Sequence, residues 1–208
     1  PSAMTAAPPS PAPDVILAST SPARRALLTA AGVPFTALSP GVDEEAAKMS
    51  LADEGLSPRD MADALAELKA LRVSNRKPGL VIGADQTLDL DGATLDKAPT
   101  VEAARERLLS LRGRSHKLHS AVVVASGGQP IWREIVTAKL TVRPFSDAFL
   151  EGYIEKAGDA LTGAAGAYYL EGLGAQLFDK IEGDYFAILG LPMTGLLDLL
   201  RRYGVLAV

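Results

Sequence analysis

The chain has 208 residues, 48% of them apolar and 22% charged, enough for one sizeable core or two small lobes in an ordinary globular protein. It contains no cysteine, which excludes disulfides, thiolate metal sites and cysteine nucleophiles and agrees with a reducing, cytoplasmic setting. A formal charge of −4 gives nonspecific nucleic-acid binding little support, and with no run of about eighteen apolar residues and no basic-then-apolar start, neither a membrane span nor a signal peptide is expected.

Residues 1–13, PSAMTAAPPSPAP, are Pro, Ala and Ser without periodicity and read as a disordered lead-in, with Pro1–Ala3 ahead of Met4 as a tag remnant. Asp14–Ala18 is a candidate buried strand. Ser21 and Pro22 then read as N-cap and first residue of a helix running to about Ala31, with Gly32 as its stop. The stretch SPRDMADALAELKALRVS, residues 57–74, is the clearest helix. Ser57 caps it, Asp60 sits three residues on, and Met61, Ala64, Leu65, Leu68 and Leu71 form a stripe with Lys69 at its border. LVIGADQTLDL follows as a strand that meets Asp85 after its apolar start, and Asp91-Gly92 is a hairpin signal before ATLD. Thr100 caps a helix to about Leu111. KLHSAVVVA and IWREIVTAKLTV are strands separated by Ser126-Gly127-Gly128, and a helix spans Ser146 to about Ala157. The chain closes in an apolar helix from about Met193 to Tyr203. Interleaved strands and helices with hairpins imply an α/β fold on a mixed sheet, and with no dividing linker residues 14–208 read as one domain.

The candidate functional residues are Ser21, Arg24 and Arg25 at the first helix, Asp43, Glu44 and Glu45 in GVDEE, Lys69, Asp85, Gln86, Lys97, and Glu171 in YLEG. A helix start offers free amides and partial positive charge, and arginine adds a planar fork suited to phosphate oxygens. Carboxylates that hold a divalent metal, with cations on phosphate oxygens, are the minimum set for hydrolysing a phosphoanhydride. Each residue also has a plain structural reading: an exposed acidic loop for GVDEE, a snorkelling helix residue for Lys69, a solvated loop residue for Lys97 and a polar strand end for Asp85. Only convergence separates the two.

Several stretches point elsewhere and are outweighed. DLDGATL, residues 89–95, resembles the aspartyl-phosphate loop of haloacid dehalogenase-type phosphatases, but Ala93 interrupts the pattern and a hairpin explains it better. The glycines of GAAGAYYLEGLG lack dinucleotide-loop spacing, and no phosphate-loop motif is present. His116 and His119, three apart on a strand, face opposite sides and are expected to be structural or surface residues. Trp132, Tyr168, Tyr169 and Phe186 read as core, with a tyrosine near YLEG able to face a nucleobase.

VILASTSPARRALL, GVDE, LAELKA, VIGADQTL, DKAP, LRGRSHKLHSAVVV, GAYYLEGLGAQLFDKIEGDYF and ILGLPMTGLLDLL together resemble the Maf family of nucleoside triphosphate pyrophosphatases, in order and spacing, over about residues 14–202. The resemblance implies an elongated mixed sheet flanked by helices, with two lobes and a central cleft as in inosine triphosphate pyrophosphatases. It implies phosphate binding by Ser21, Arg24, Arg25, Lys69 and Lys97, an Mg²⁺ or Mn²⁺ contact at Glu44 and Asp85, and Asp85 as proton acceptor for water attacking the α-phosphorus. It implies base selection at Ala23, Gln86 and Glu171. Gln86 and Glu171 match the 7-methyl-GTP subgroup rather than the dTTP/UTP subgroup, while Ala23 matches neither. A nucleotide-binding regulatory protein with little turnover is the competing class, and a homodimer is compatible with the family pattern.

Overall fold

The structure is a computed structural model that describes residues 10–208; residues 1–9 of the expected lead-in lie outside the described residues, and residues 10–13 carry no helix or strand. Seven strands form one sheet: β1 (Val15–Ala18), β2 (Thr36–Leu38), β3 (Leu80–Leu90), β4 (Ala93–Leu95), β5 (Ser115–Ser126), β6 (Gln129–Val142) and β7 (Phe178–Glu182). Their order is β2-β1-β3-β5-β6-β7, with β4 also paired to β3. β1 runs parallel to β2 and β3, and all other pairs are antiparallel, so the sheet is mixed as expected.

The helices are α1 (Pro22–Ala30), α2 (Glu44–Asp53), α3 (Pro58–Ser74), α4 (Val101–Leu111), α5 (Asp147–Ala157), α6 (Ala160–Gly163), α7 (Tyr185–Leu189) and α8 (Met193–Arg202). Ser21, Asp43, Ser57, Thr100 and Ser146 each accept a hydrogen bond from a first-turn amide, which is why these helices begin where they do. The β3–β4 connection is a two-residue turn in which Asp91 and Gly92 have φ of 51° and 89°. Two consecutive positive φ values are what a type I′ hairpin needs, so DLDGATL is a turn. Asp89 lies outside the cleft lining and is tied to His119 Nε2 and the Gly92 amide.

Two large cores lie along β3. Leu80, Ile82 and Ala84 pack with β1, α1 and α8, whereas Leu88 packs with α4, α5 and Tyr168. Gln86 stands between them, and its cross-strand partner Ser120 is likewise polar between Leu118 and Val122. The two lobes therefore part where the apolar alternation of both strands is broken.

On the opposite face of β3, Ala62, Ala66 and Ala70 of α3 pack against Ala121, Val123 and Ala125 of β5. The buried face of α3 matches the expected stripe at Met61 and Leu65 and departs from it elsewhere: Leu68 is exposed, and Ala62, Ala66, Lys69, Ala70 and Val73 are buried. The reason is close approach. A Cβ on Gly83 would lie 2.2 Å from the Ala66 carbonyl oxygen and 2.6 Å from the Ala70 amide, so the helix rests almost directly on the strand backbone. Large side chains do not fit that seam.

Candidate active site

The edge of β3 that faces β1 is incomplete. β1 pairs only with Leu80–Ile82 and β4 only with Leu88–Leu90, so residues 83–87 have no strand partner on that side. The opening is the mouth of a cleft of about 250 Å³ into which side chains from both faces of the strand reach.

Asp85 from β3, Lys69 from α3 and Glu44 from the first turn of α2 meet here. The Lys69 ammonium donates to Asp85 Oδ1 at 2.9 Å, to Glu44 Oε1 at 2.8 Å and to the Ala84 carbonyl at 3.2 Å. Its three protons thus have three acceptors, which is how a lysine 4% exposed remains in the fold. Asp85, 6% exposed, keeps its second oxygen, Oδ2, buried and without a partner. A buried carboxylate oxygen left unmatched beside a cleft is costly, and its occurrence marks a place where something else binds. Burial pushes the Glu44 carboxyl up, but Lys69, Lys48 and Arg24 more than reverse this, so it titrates below its ordinary value.

Arg24 enters from α1. Its Nε donates to the Gly190 carbonyl at 2.8 Å, while among the described residues the only terminal-nitrogen hydrogen bond is Nη1 to Ser19 Oγ at 3.5 Å. The guanidinium is anchored at its elbow with its fork largely uncommitted. Burial lowers its pKa, opposed by Asp85 and Glu44, and the group stays cationic. Ser21, Ala23 and Lys97 also line the cleft, Lys97 from the exposed turn after β4. Arg25 does not: it is exposed on α1 and absent from the lining, so the structure brings only Arg24 of the two arginines to the cleft. A helix turns about 100° per residue, which carries Arg25 past the stretch of α1 that faces the cleft through Ala23 and Arg24. Asp43 is the α2 cap rather than a cleft residue, and Glu45 is exposed outside the lining.

Gln86 and Glu171 line the opposite wall. The Gln86 amide donates to the carbonyls of Ala187 and Ile188 and to Ser120 Oγ at 2.9–3.0 Å, so its nitrogen braces α7. Glu171 is exposed at the lip. Tyr169 also lines this wall and is 38% exposed, with its hydroxyl over Gly163, where a Cβ would lie 2.3 Å away. The expectation of a core residue holds for Tyr168, buried against His116 and Phe178, but not for Tyr169 or Phe186, both exposed, nor fully for the half-buried Trp132. His116 and His119 are both structural: His116 Nε2 meets Tyr168 Oη at 2.7 Å, and His119 joins Asp89 to Thr137.

Sequence reasoning missed Lys48 and Asp96, which form an ion pair of 3.1 Å in the lining, and Ser19. Lys48 was within reach, because it follows Glu44 by four residues on the same helix and must share its face. Arg107 of α4, also unremarked, donates to the Asp96 and Ala165 carbonyls and fastens two loops of the cleft together.

Fold and cleft define an α/β protein of mixed sheet whose ion-paired cleft lies at a gap in the central strand's edge. The chain belongs to the Maf family: the profile described as Maf-like protein matches residues 14–203. It is 64% identical over 194 residues to a nucleoside triphosphate pyrophosphatase of Caulobacter vibrioides, covering 93% of this chain and 98% of that protein. It is 55% identical over 195 residues to the protein of that name from Rhodospirillum rubrum, covering 93% and 96%. To a 7-methyl-GTP pyrophosphatase of Rhizobium meliloti it is 48% identical over 195 residues, covering 93% and 98%.

Proposed function

We propose that this chain is a nucleoside triphosphate pyrophosphatase that hydrolyses the α–β phosphoanhydride, releasing a nucleoside monophosphate and diphosphate. The observation that carries the reading is the state of Asp85: one oxygen is pinned by Lys69 and the other is buried, unpartnered and beside the cleft. A carboxylate held at one oxygen is oriented, and the free oxygen accepts a proton from water as it attacks the α-phosphorus. Arg24 and Lys97, with Ser21 at the start of α1, hold the phosphate oxygens, while Lys69, its three protons committed to Asp85, Glu44 and the Ala84 carbonyl, positions the two carboxylates. Cations already fixed in place favour the charge that builds on the transferring and leaving oxygens. No covalent intermediate is required.

The donor set fits a divalent cation. Glu44 and Asp85 share Lys69 between them, and Asp85 Oδ2 lacks a ligand. Among the described residues no group of three or more His, Cys, Asp or Glu side chains is placed to hold a metal ion. That pattern suits Mg²⁺ or Mn²⁺, which binds through one or two carboxylates and takes its other ligands from water and substrate phosphate. When bound, the ion supplies Lewis-acid stabilisation of the phosphoryl oxygens. The reading favours 7-methyl-GTP or a related modified nucleotide, because a carboxylate at Glu171 accepts from the donor edge of guanine and suits a cationic base. Tyr169 beside it offers an aromatic face, and Ala23 leaves room without adding stacking or charge. Gln86 shapes this wall through α7.

The test is incubation with a panel including 7-methyl-GTP, dTTP and UTP, in Mg²⁺ or Mn²⁺, with identification of products. Monophosphate and diphosphate are expected, with a loss of about a hundredfold or more in Asp85→Asn at unchanged circular dichroism. Release of orthophosphate, or full turnover by Asp85→Asn, refutes the reading.

A further inference from the structure

The Lys48–Asp96 pair has no part in the chemistry above, yet it sits in the lining of the cleft. Lys48 lies one turn beyond Glu44 on α2, and its ammonium is on the same side of the helix as the Glu44 carboxylate. Asp96 belongs to the turn between β4 and α4, whose flanking Leu95 and Ala98 pack into the far core. The ion pair therefore ties one wall of the cleft to the other.

We propose that Lys48 is a further substrate-binding residue, held in reserve by Asp96 in the free protein and transferred to the polyphosphate tail when it binds. This rests on the reading of the cleft as a polyphosphate site and deepens it.

Four observations carry the proposal. The lining holds four cationic side chains (Arg24, Lys48, Lys69, Lys97) and four carboxylates (Glu44, Asp85, Asp96, Glu171), so the free cleft is near neutral, a poor match for a tail of several negative charges. Lys69 is locked by two buried or half-buried partners and cannot be released, whereas Lys48 is held by a single carboxylate 65% exposed. An ion pair open to water is weak, and a phosphate, with more charge and more acceptors, displaces the carboxylate.

Helix α2 buries none of its side chains, so no core packing fixes its height above the cleft; the pairs from Lys69 to Glu44 and from Lys48 to Asp96 fasten it. Asp96 cannot follow, because Arg107 grips its carbonyl from α4. Finally, the cleft of about 250 Å³ lies just below the roughly 300–1,000 Å³ of typical small-molecule sites, so a wall that gives way makes room for a nucleotide. Helix α2, with no buried side chain, is a wall able to do so.

Calorimetric titration with inorganic tripolyphosphate in metal-free buffer tests this without turnover, on the full chain and on Lys48→Met, Asp96→Asn and the double variant. Binding weakens about tenfold in Lys48→Met and tightens about threefold or more in Asp96→Asn; in the Lys48→Met background the Asp96→Asn gain shrinks, since only a repulsion remains to be relieved. Circular dichroism of each variant confirms the fold. If Lys48→Met stays within twofold of the parent, if Asp96→Asn binds no tighter, or if the Asp96→Asn gain is the same in both backgrounds, the proposal is wrong. A chain that binds tripolyphosphate in the expected order but hydrolyses no nucleotide refutes the catalytic reading and leaves this one standing.

Discussion

Lys69 does at residue scale what no other side chain of the cleft can: it holds two carboxylates within 3 Å of one ammonium while leaving Asp85 Oδ2 free. Arg24 and Arg25 are neighbours with different surroundings, one lining the cleft and the other exposed outside it. Arg24→Ala is expected to lower kcat/KM by about a hundredfold or more, whereas Arg25→Ala stays within about threefold. Equal losses in steady-state kinetics would mean that Arg25 also reaches the substrate. His116 gives a second prediction, of stability. Burial lowers its pKa from the usual 6.5 of histidine to about 4. Between those values the unfolded chain binds a proton that the native chain refuses, so stability falls as pH drops from 6.5 towards 4, by at most about 3 kcal/mol. Urea midpoints at pH 7.5 and 4.5 are expected to fall further for the parent chain than for His116→Gln. Parallel falls would show that His116 is already charged in the fold.

At the scale of elements, the seam between α3 and β3 sets the position of Lys69. Gly83→Ala drives a methyl into the Ala66 carbonyl and the Ala70 amide. The helix must lift, at an expected cost of about 2–3 kcal/mol in urea unfolding. Because Lys69 rides on that helix, kcat/KM falls by about tenfold or more as well. A Gly83→Ala chain with unchanged stability and activity would show that the seam has slack. The same seam marks where sequence reading stops. Caps at Ser21, Ser57 and Thr100 and the Asp91-Gly92 turn were legible because each acts on its own neighbours. The buried face of α3 was misjudged, because periodicity rewards large apolar residues such as Leu68. The helix instead turns its alanines to the sheet, a demand made by a glycine on another element.

At the scale of the molecule, the cleft exists because two cores meet at Gln86 and Ser120 and because β1 and β4 leave the edge of β3 uncovered between them. Residues 24, 44, 69, 85 and 97 come from five separate segments, so their meeting is a tertiary fact. Local pattern could nominate them one at a time, each against a plain alternative, and the family resemblance supplied the grouping. Lys48 and Asp96 escaped notice because a charged helix face and an exposed turn look alike wherever they occur. No helix among the described residues is long and apolar enough to cross a membrane. In the proposed reaction Asp85 directs water onto the innermost phosphorus. Hydrolysis of the preferred nucleotide in heavy-oxygen water, followed by mass spectrometry of both products, tests it most directly. The label is predicted in the nucleoside monophosphate; label in the diphosphate would place the attack on the β-phosphorus and contradict the account.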